Sequence, residues 1–162
     1  MIMRILFLLL LFAPLAANAQ LSMREAFLQM PDTLLPYLSA SNRLDMLDYY
    51  DAKMKSEVTN ELQGKSELLT MTADSLSLRM NVSHDMTLYL IEAAEEVDSS
   101  RQVIAVSHVL RLSTGEEDRT LTFYSNRWRQ LTTPPHLLPL YEARLPKASS
   151  TLLRRDEEVM SK

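Results

Sequence analysis

Leu76-Ser77-Leu78-Arg79-Met80-Asn81-Val82 alternates apolar and polar side chains without a break. A period of two places Leu76, Leu78, Met80 and Val82 on one face of a β-strand and Ser77, Arg79 and Asn81 on the other, so one face is dry and one wet. Shorter apolar pieces flank it: Leu68 to Met71 before a turn at Ala73-Asp74, and Met86 to Ile91 after a turn at Ser83 to Asp85. Consecutive short strands joined by tight turns predict an antiparallel meander.

Val103 to Leu112 is longer and apolar on both sides, with Ile104, Val106, Leu110 and Leu112 on one and Val103, Ala105 and Val109 on the other. That is the pattern of a central strand. Thr114 to Asp118, with Gly115 as its permissive residue, turns the chain into Thr120 to Ser125. Ser125-Asn126-Arg127 then turns it again toward Trp128 and Leu131. Five or six strands are expected in this half. Glu92 to Ser100 holds four acids and two alanines and fits either a loop extending a hairpin or a helical turn.

Upstream the period is helical. Ser22-Met23-Arg24-Glu25 has the form of a capping box, and Met23, Ala26, Phe27 and Met30 follow on one helical face until Pro31 ends it. Leu34 to Leu38, which contains Pro36, reads as a single helical turn. From Ser41 to about Met54 a second helix is expected, with Asn42 or Ser41 as its N-cap and Leu44, Leu47, Tyr50 or Asp51, and Met54 along one side. The segment Thr133 to Pro146, rich in proline and leucine, predicts an extended stretch lying across the sheet, with a recognition ligand as the alternative.

At the amino terminus, Arg4, the apolar run Ile5 to Ala16 and the small-residue site Ala17-Asn18-Ala19 read as a cleavable secretory signal. The run is about twelve residues, short of the ~20 a spanning helix requires, and no later segment is apolar enough to span. Cleavage there leaves a 143-residue chain beginning at Gln20. A chain of this size buries roughly two-thirds of its unfolded surface, enough for one core. The expected organisation is a signal over 1–19, one α+β domain over 20–146 and a polar, flexible tail over 147–162. The absence of cysteine rules out disulfides and a lipoprotein anchor alike, so burial alone must hold the domain together.

Loss of the signal removes Arg4 and no acid, leaving 16 basic against 21 acidic residues and a net charge of −5. Phosphate binding needs a basic stripe, whereas the basic residues here stand as isolated pairs such as Arg127 with Arg129 and Arg154 with Arg155. A nucleic-acid partner is therefore not expected.

Several residue groups invite chemistry and fall short of it. Gly64-Lys65-Ser66 resembles the end of a phosphate-binding loop, but Thr59 stands where the first glycine of that loop belongs. Asp45, Asp48 and Asp51 recur every third residue, which spreads them around a helix instead of converging them on a cation, so a solvated face is expected. The methionines fall at apolar positions without the clustering that copper requires. His84-Asp85 is the most inviting pair, since a carboxylate can orient an imidazole, yet neighbouring residues point apart and His84 falls in a predicted turn. His108 shares the face of Ile104, Val106, Leu110 and Leu112, and a buried imidazole there needs a partner, expected to be a backbone carbonyl or a tyrosine. Neither a His-Glu-x-x-His nor a Gly-x-Ser-x-Gly motif occurs. No catalytic, cofactor-binding or metal-binding residue is assigned on these grounds.

Met30-Pro31-Asp32-Thr33-Leu34-Leu35-Pro36-Tyr37-Leu38, then Asn42-Arg43-Leu44-Asp45 and Gly64-Lys65-Ser66, and later Arg119-Thr120-Leu121-Thr122-Phe123-Tyr124 with Trp128, resemble a family of exported proteins of unknown function from Bacteroides-type bacteria. The likeness spans nearly the whole mature chain. It implies a Gram-negative periplasm or outer surface and brings no known activity or catalytic residue with it. The expectation is thus an exported α+β domain, N-terminal helices packed on an antiparallel sheet, serving as a non-catalytic module that binds a protein or envelope ligand. The alternative is a periplasmic hydrolase using His84 or His108.

Overall fold

Ser22 opens the first helix, α1 (Met23–Gln29), through both arms of the expected capping box: its hydroxyl accepts the Glu25 N–H and the Glu25 carboxylate accepts the Ser22 N–H. The computed structural model describes residues 20–132 and 137–142. The expected signal over 1–19 and tail over 147–162 lie outside the described residues. After α1 the chain runs through successive turns, with Leu34 N–H bonded to Pro31 O at 2.9 Å and Leu35 N–H to Asp32 O at 3.1 Å. The helical turn expected from Leu34 to Leu38 does not form, but Leu35 and Leu38 are buried.

The second helix, α2 (Ala40–Asp51), begins one residue before the expected Ser41 and ends three residues before the expected Met54. Ser39 is the N-cap, and Asn42 acts as its partner in a capping box. The helix is also rotated from the expected face: Arg43, Met46 and Leu47 are buried, whereas Leu44 is 51% and Met54 62% exposed. Arg43 accounts for the rotation. Its guanidinium is held inside by the Met30 carbonyl, so the helix turns a cation inward and a leucine outward.

Seven strands form one sheet in sequence order, each antiparallel to the next: β1 (Glu57–Thr59), β2 (Lys65–Met71), β3 (Ser75–Asn81), β4 (His84–Val97), β5 (Ser100–Arg111), β6 (Glu117–Ser125) and β7 (Gln130–Leu131). The meander is as expected, and the count exceeds the expected five or six. β1 and β7 are three and two residues long, too short for an alternating period to show. Residues 92–97 continue β4 instead of forming a loop or helical turn, and Asp98 and Ser99, at φ +56° and +66°, make the two-residue turn into β5. Two successive positive φ values suit the right-handed twist of a hairpin.

The sheet is buried along one face and, on the other, only over β4 to β6. Leu76, Leu78, Met80, Met86, Leu88, Ile104 and Val106 pack under α1, α2 and the turns after α1, together with Phe27, Met30 and Met46. On the other face Ala93, Val103, Ala105 and Phe123 pack under Leu137 and Tyr141. Of the segment expected to lie across the sheet, the described residues 137–142 do cover it, although Leu138–Glu142 form a short helix, α3, where an extended chain is expected. Pro139 falls in the first turn of α3, where its missing N–H breaks no helical hydrogen bond. No helix among the described residues is long and apolar enough to cross a membrane.

Candidate functional site

The β4–β5 register pairs His84 with Leu110 and Met86 with His108. Diagonal neighbours on one face of an antiparallel pair lie within reach of ring side chains. The two imidazoles meet there, with His84 Nε2 2.9 Å from His108 Nδ1 and the ring planes tilted by 35°. His84 is the first residue of β4, not part of the turn in which it was expected, and His108 is half-buried with the other histidine as partner, in place of the expected carbonyl or tyrosine. Burial pushes the pKa of both rings down; Asp85 partly opposes this for His84, and His84 adds to it for His108. Both are therefore biased toward the neutral imidazole.

Asp85 points to the opposite face, as alternation requires. There it is paired with Arg111 and lies 3.9 Å from Arg79, which is in turn 3.6 Å from Glu67. Arg111 also approaches Glu117 at 3.7 Å, and Glu117 bonds Arg119. One ionic ladder thus crosses β2 to β6 on the face away from α1 and α2. His84 and Asp85 do not form a dyad, and the histidine pair has no orienting carboxylate among the described residues.

Gly64-Lys65-Ser66 serves the β1–β2 hairpin. The Asn60 side-chain oxygen accepts the N–H groups of Leu62 and Gly64, each at 3.0 Å, while its amide donates to Ser66 Oγ at 2.9 Å. Ser66 Oγ donates in turn to the Met80 carbonyl at 2.6 Å. The Gly64 N–H that a phosphate would need is already engaged. Replacing Asn60, which is 4% exposed, by alanine strands these N–H groups, and a loss of about 2–3 kcal/mol in urea unfolding is expected. Asp45 and Asp48 are exposed, and Asp51 pairs with Arg24 of α1 at 2.6 Å, so these acids form a solvated face with one inter-helix tie.

A groove that sequence reasoning missed lies where the end of α2 meets the outer edge of β2. It is open to solvent, has a volume of about 540 Å³, and is lined by Tyr50, Met54, Leu68 and Leu69 together with Ser56 and the charged Asp51, Lys53, Lys55 and Glu67. Leu69 is the extra residue of a bulge, where the β2–β3 register slips between Leu68 and Thr70. β1 stops pairing at Glu67, and beyond it Tyr50 secures the β2 edge: its hydroxyl accepts the Met71 N–H at 3.1 Å and donates to the Met71 carbonyl at 3.0 Å. The advance signal is Met54, which the sequence period sets on one side of the expected helix and which in the structure follows α2, 62% exposed.

The family described as "Protein of unknown function (DUF3256)" matches residues 15–159. No curated protein matches the chain. Among solved structures, a domain of an uncharacterized protein from Porphyromonas gingivalis W83 is similar with a TM-score of 0.54 and 20% identity, over 68% of this chain and 54% of that one. The chain spans about half the length of that structure, and at this identity the likeness is one of fold.

Proposed function

The chain belongs to that family of proteins of unknown function, and from this premise we propose that it is an exported, non-catalytic binding module of a Gram-negative cell envelope, periplasmic or secreted and without a lipid anchor. The observation that carries binding is the groove beside β2. Its volume of about 540 Å³ falls in the range of ligand sites, and its lining mixes apolar Tyr50, Met54, Leu68 and Leu69 with charges of both signs. Met54, 62% exposed, and Leu69, 36% exposed, offer apolar surface that the chain's own core leaves unused. Export rests on Arg4, the apolar run Ile5 to Ala16 and Ala17-Asn18-Ala19; the lack of a lipid anchor rests on the absence of cysteine. A hydrolytic role for His84 or His108 would need a carboxylate behind one imidazole, and the nearest in sequence, Asp85, is engaged by arginines.

Native mass spectrometry of the protein released gently from its own envelope tests both parts. The chain mass is expected to begin at Gln20, and a reproducible added mass is expected in the wild type. Met54→Glu, placed at the groove, should abolish that added mass, while Val82→Ser, in the distant β3–β4 turn, should retain it. A chain mass that includes residues 1–19 would refute export by cleavage. A bare chain, or an added mass indifferent to Met54→Glu, would refute the groove as the binding site.

A further inference from the structure

We propose that His84 and His108 form a two-histidine site for a borderline divalent transition ion such as Zn²⁺, Ni²⁺ or Cu²⁺, independent of the groove. The backbone presets the pair: both residues lie within hydrogen-bonded β-ladders, with His84 opposite Leu110 and His108 between Met86 and Thr120. Their facing nitrogens are 2.9 Å apart. Metal–imidazole bonds of about 2.0–2.1 Å at a tetrahedral angle need nitrogens roughly 3.3 Å apart. The rings must therefore separate by about 0.4 Å and each turn its facing nitrogen off the line of the hydrogen bond toward the ion, movements made by side-chain rotation.

The chemistry of the pair also favours an ion. Among the described residues each imidazole finds its hydrogen-bond partner in the other, so no carboxylate or hydroxyl competes for the facing nitrogens. Burial biases both rings to the neutral form, which is the form that ligates. On binding, the ring that accepts in the pair keeps its proton on the far nitrogen, the ring that donates moves its proton from the facing nitrogen to the far one, and the ion sheds two of its waters; no net proton is released. Imidazole suits zinc, copper and nickel and does not select calcium or magnesium. No third protein ligand gathers there among the described residues, so the remaining positions stay with water or an exogenous ligand.

The test uses the untagged chain, stripped with EDTA and titrated with ZnCl₂ or NiCl₂ while thermal unfolding is followed. At a free-ion concentration about 100 times the dissociation constant the midpoint should rise by roughly 5–10 °C. The rise should vanish in His84→Gln and in His108→Gln, survive in His136→Gln, and be absent with MgCl₂. Should either variant fail to fold, electron paramagnetic resonance of the wild type with one equivalent of Cu²⁺ decides, with two coordinated imidazoles expected. No midpoint shift up to millimolar ion, a shift retained in the two variants, or fewer than two coordinated imidazoles would overturn the site.

Discussion

Arg43→Ala is expected to lower the unfolding free energy by about 2–4 kcal/mol, measured by urea denaturation. The Arg43 side chain is 4% exposed and donates to the Met30 carbonyl at 2.7 Å and to Asp32 at 2.8 Å. Met30 closes α1, so the guanidinium caps one helix from the flank of the next. Alanine leaves that carbonyl without its donor and a cavity where the alkyl stem packed. Two further variants separate these causes. Asp32 is 77% exposed, and Asp32→Asn should cost less than about 1 kcal/mol, since the carboxylate is solvated and the amide keeps an oxygen to accept from the guanidinium. Arg43→Met should cost less than Arg43→Ala, because both remove the buried charge and only methionine fills the space of the alkyl stem. Equal losses in Arg43→Ala and Asp32→Asn would mean that the ion pair, not the cap, holds the two helices.

Tyr141→Ala is expected to cost about 3–4 kcal/mol, and ending the chain after Thr132 at least as much. Tyr141 is 3% exposed and meets Tyr89 and Phe123 edge-on, with ring centroids at 5.3 and 6.5 Å. Edge-to-face pairs add to the burial of the ring itself. Leu137, fully buried beside it, leaves with the truncation and exposes Ala105 and Phe123 to water. Tyr141→Phe keeps the ring and its edge-on contacts and loses only the hydroxyl, so it should cost no more than about 1 kcal/mol. A truncated chain with an unchanged urea midpoint would show that the second face of the sheet needs no cover.

These two residues mark where sequence reading succeeds and where it stops. Tyr141 was placed over the sheet by the proline and leucine content of its segment, and it is there, on a helical turn that composition did not foretell. Arg43 carries no local sign of its burial, because charge ordinarily marks a solvent face. Its signal lay in the joint presence of Met30-Pro31-Asp32 and Asn42-Arg43-Leu44-Asp45, two pieces that the folded chain joins through one guanidinium. The histidines divide in the same way. Alternation put His108 on the apolar side of its strand and demanded a partner, but the partner is His84, twenty-four residues away.

Local patterning was sufficient for the capping box at Ser22, the antiparallel meander, the two-faced strand from Val103 and the cover over its second face, because each follows from a period or a turn residue within a few positions. Packing between distant segments was needed for the rest. The inward turn of Arg43 depends on where the Met30 carbonyl ends α1, the two shortest strands exist only through their neighbours' hydrogen bonds, and the histidine pair follows from the β4–β5 register. A register slip of one residue would send both imidazoles to opposite faces, and no local signal encodes that choice; the burial of Ile104 and Val106 against Leu88 and Leu90 does.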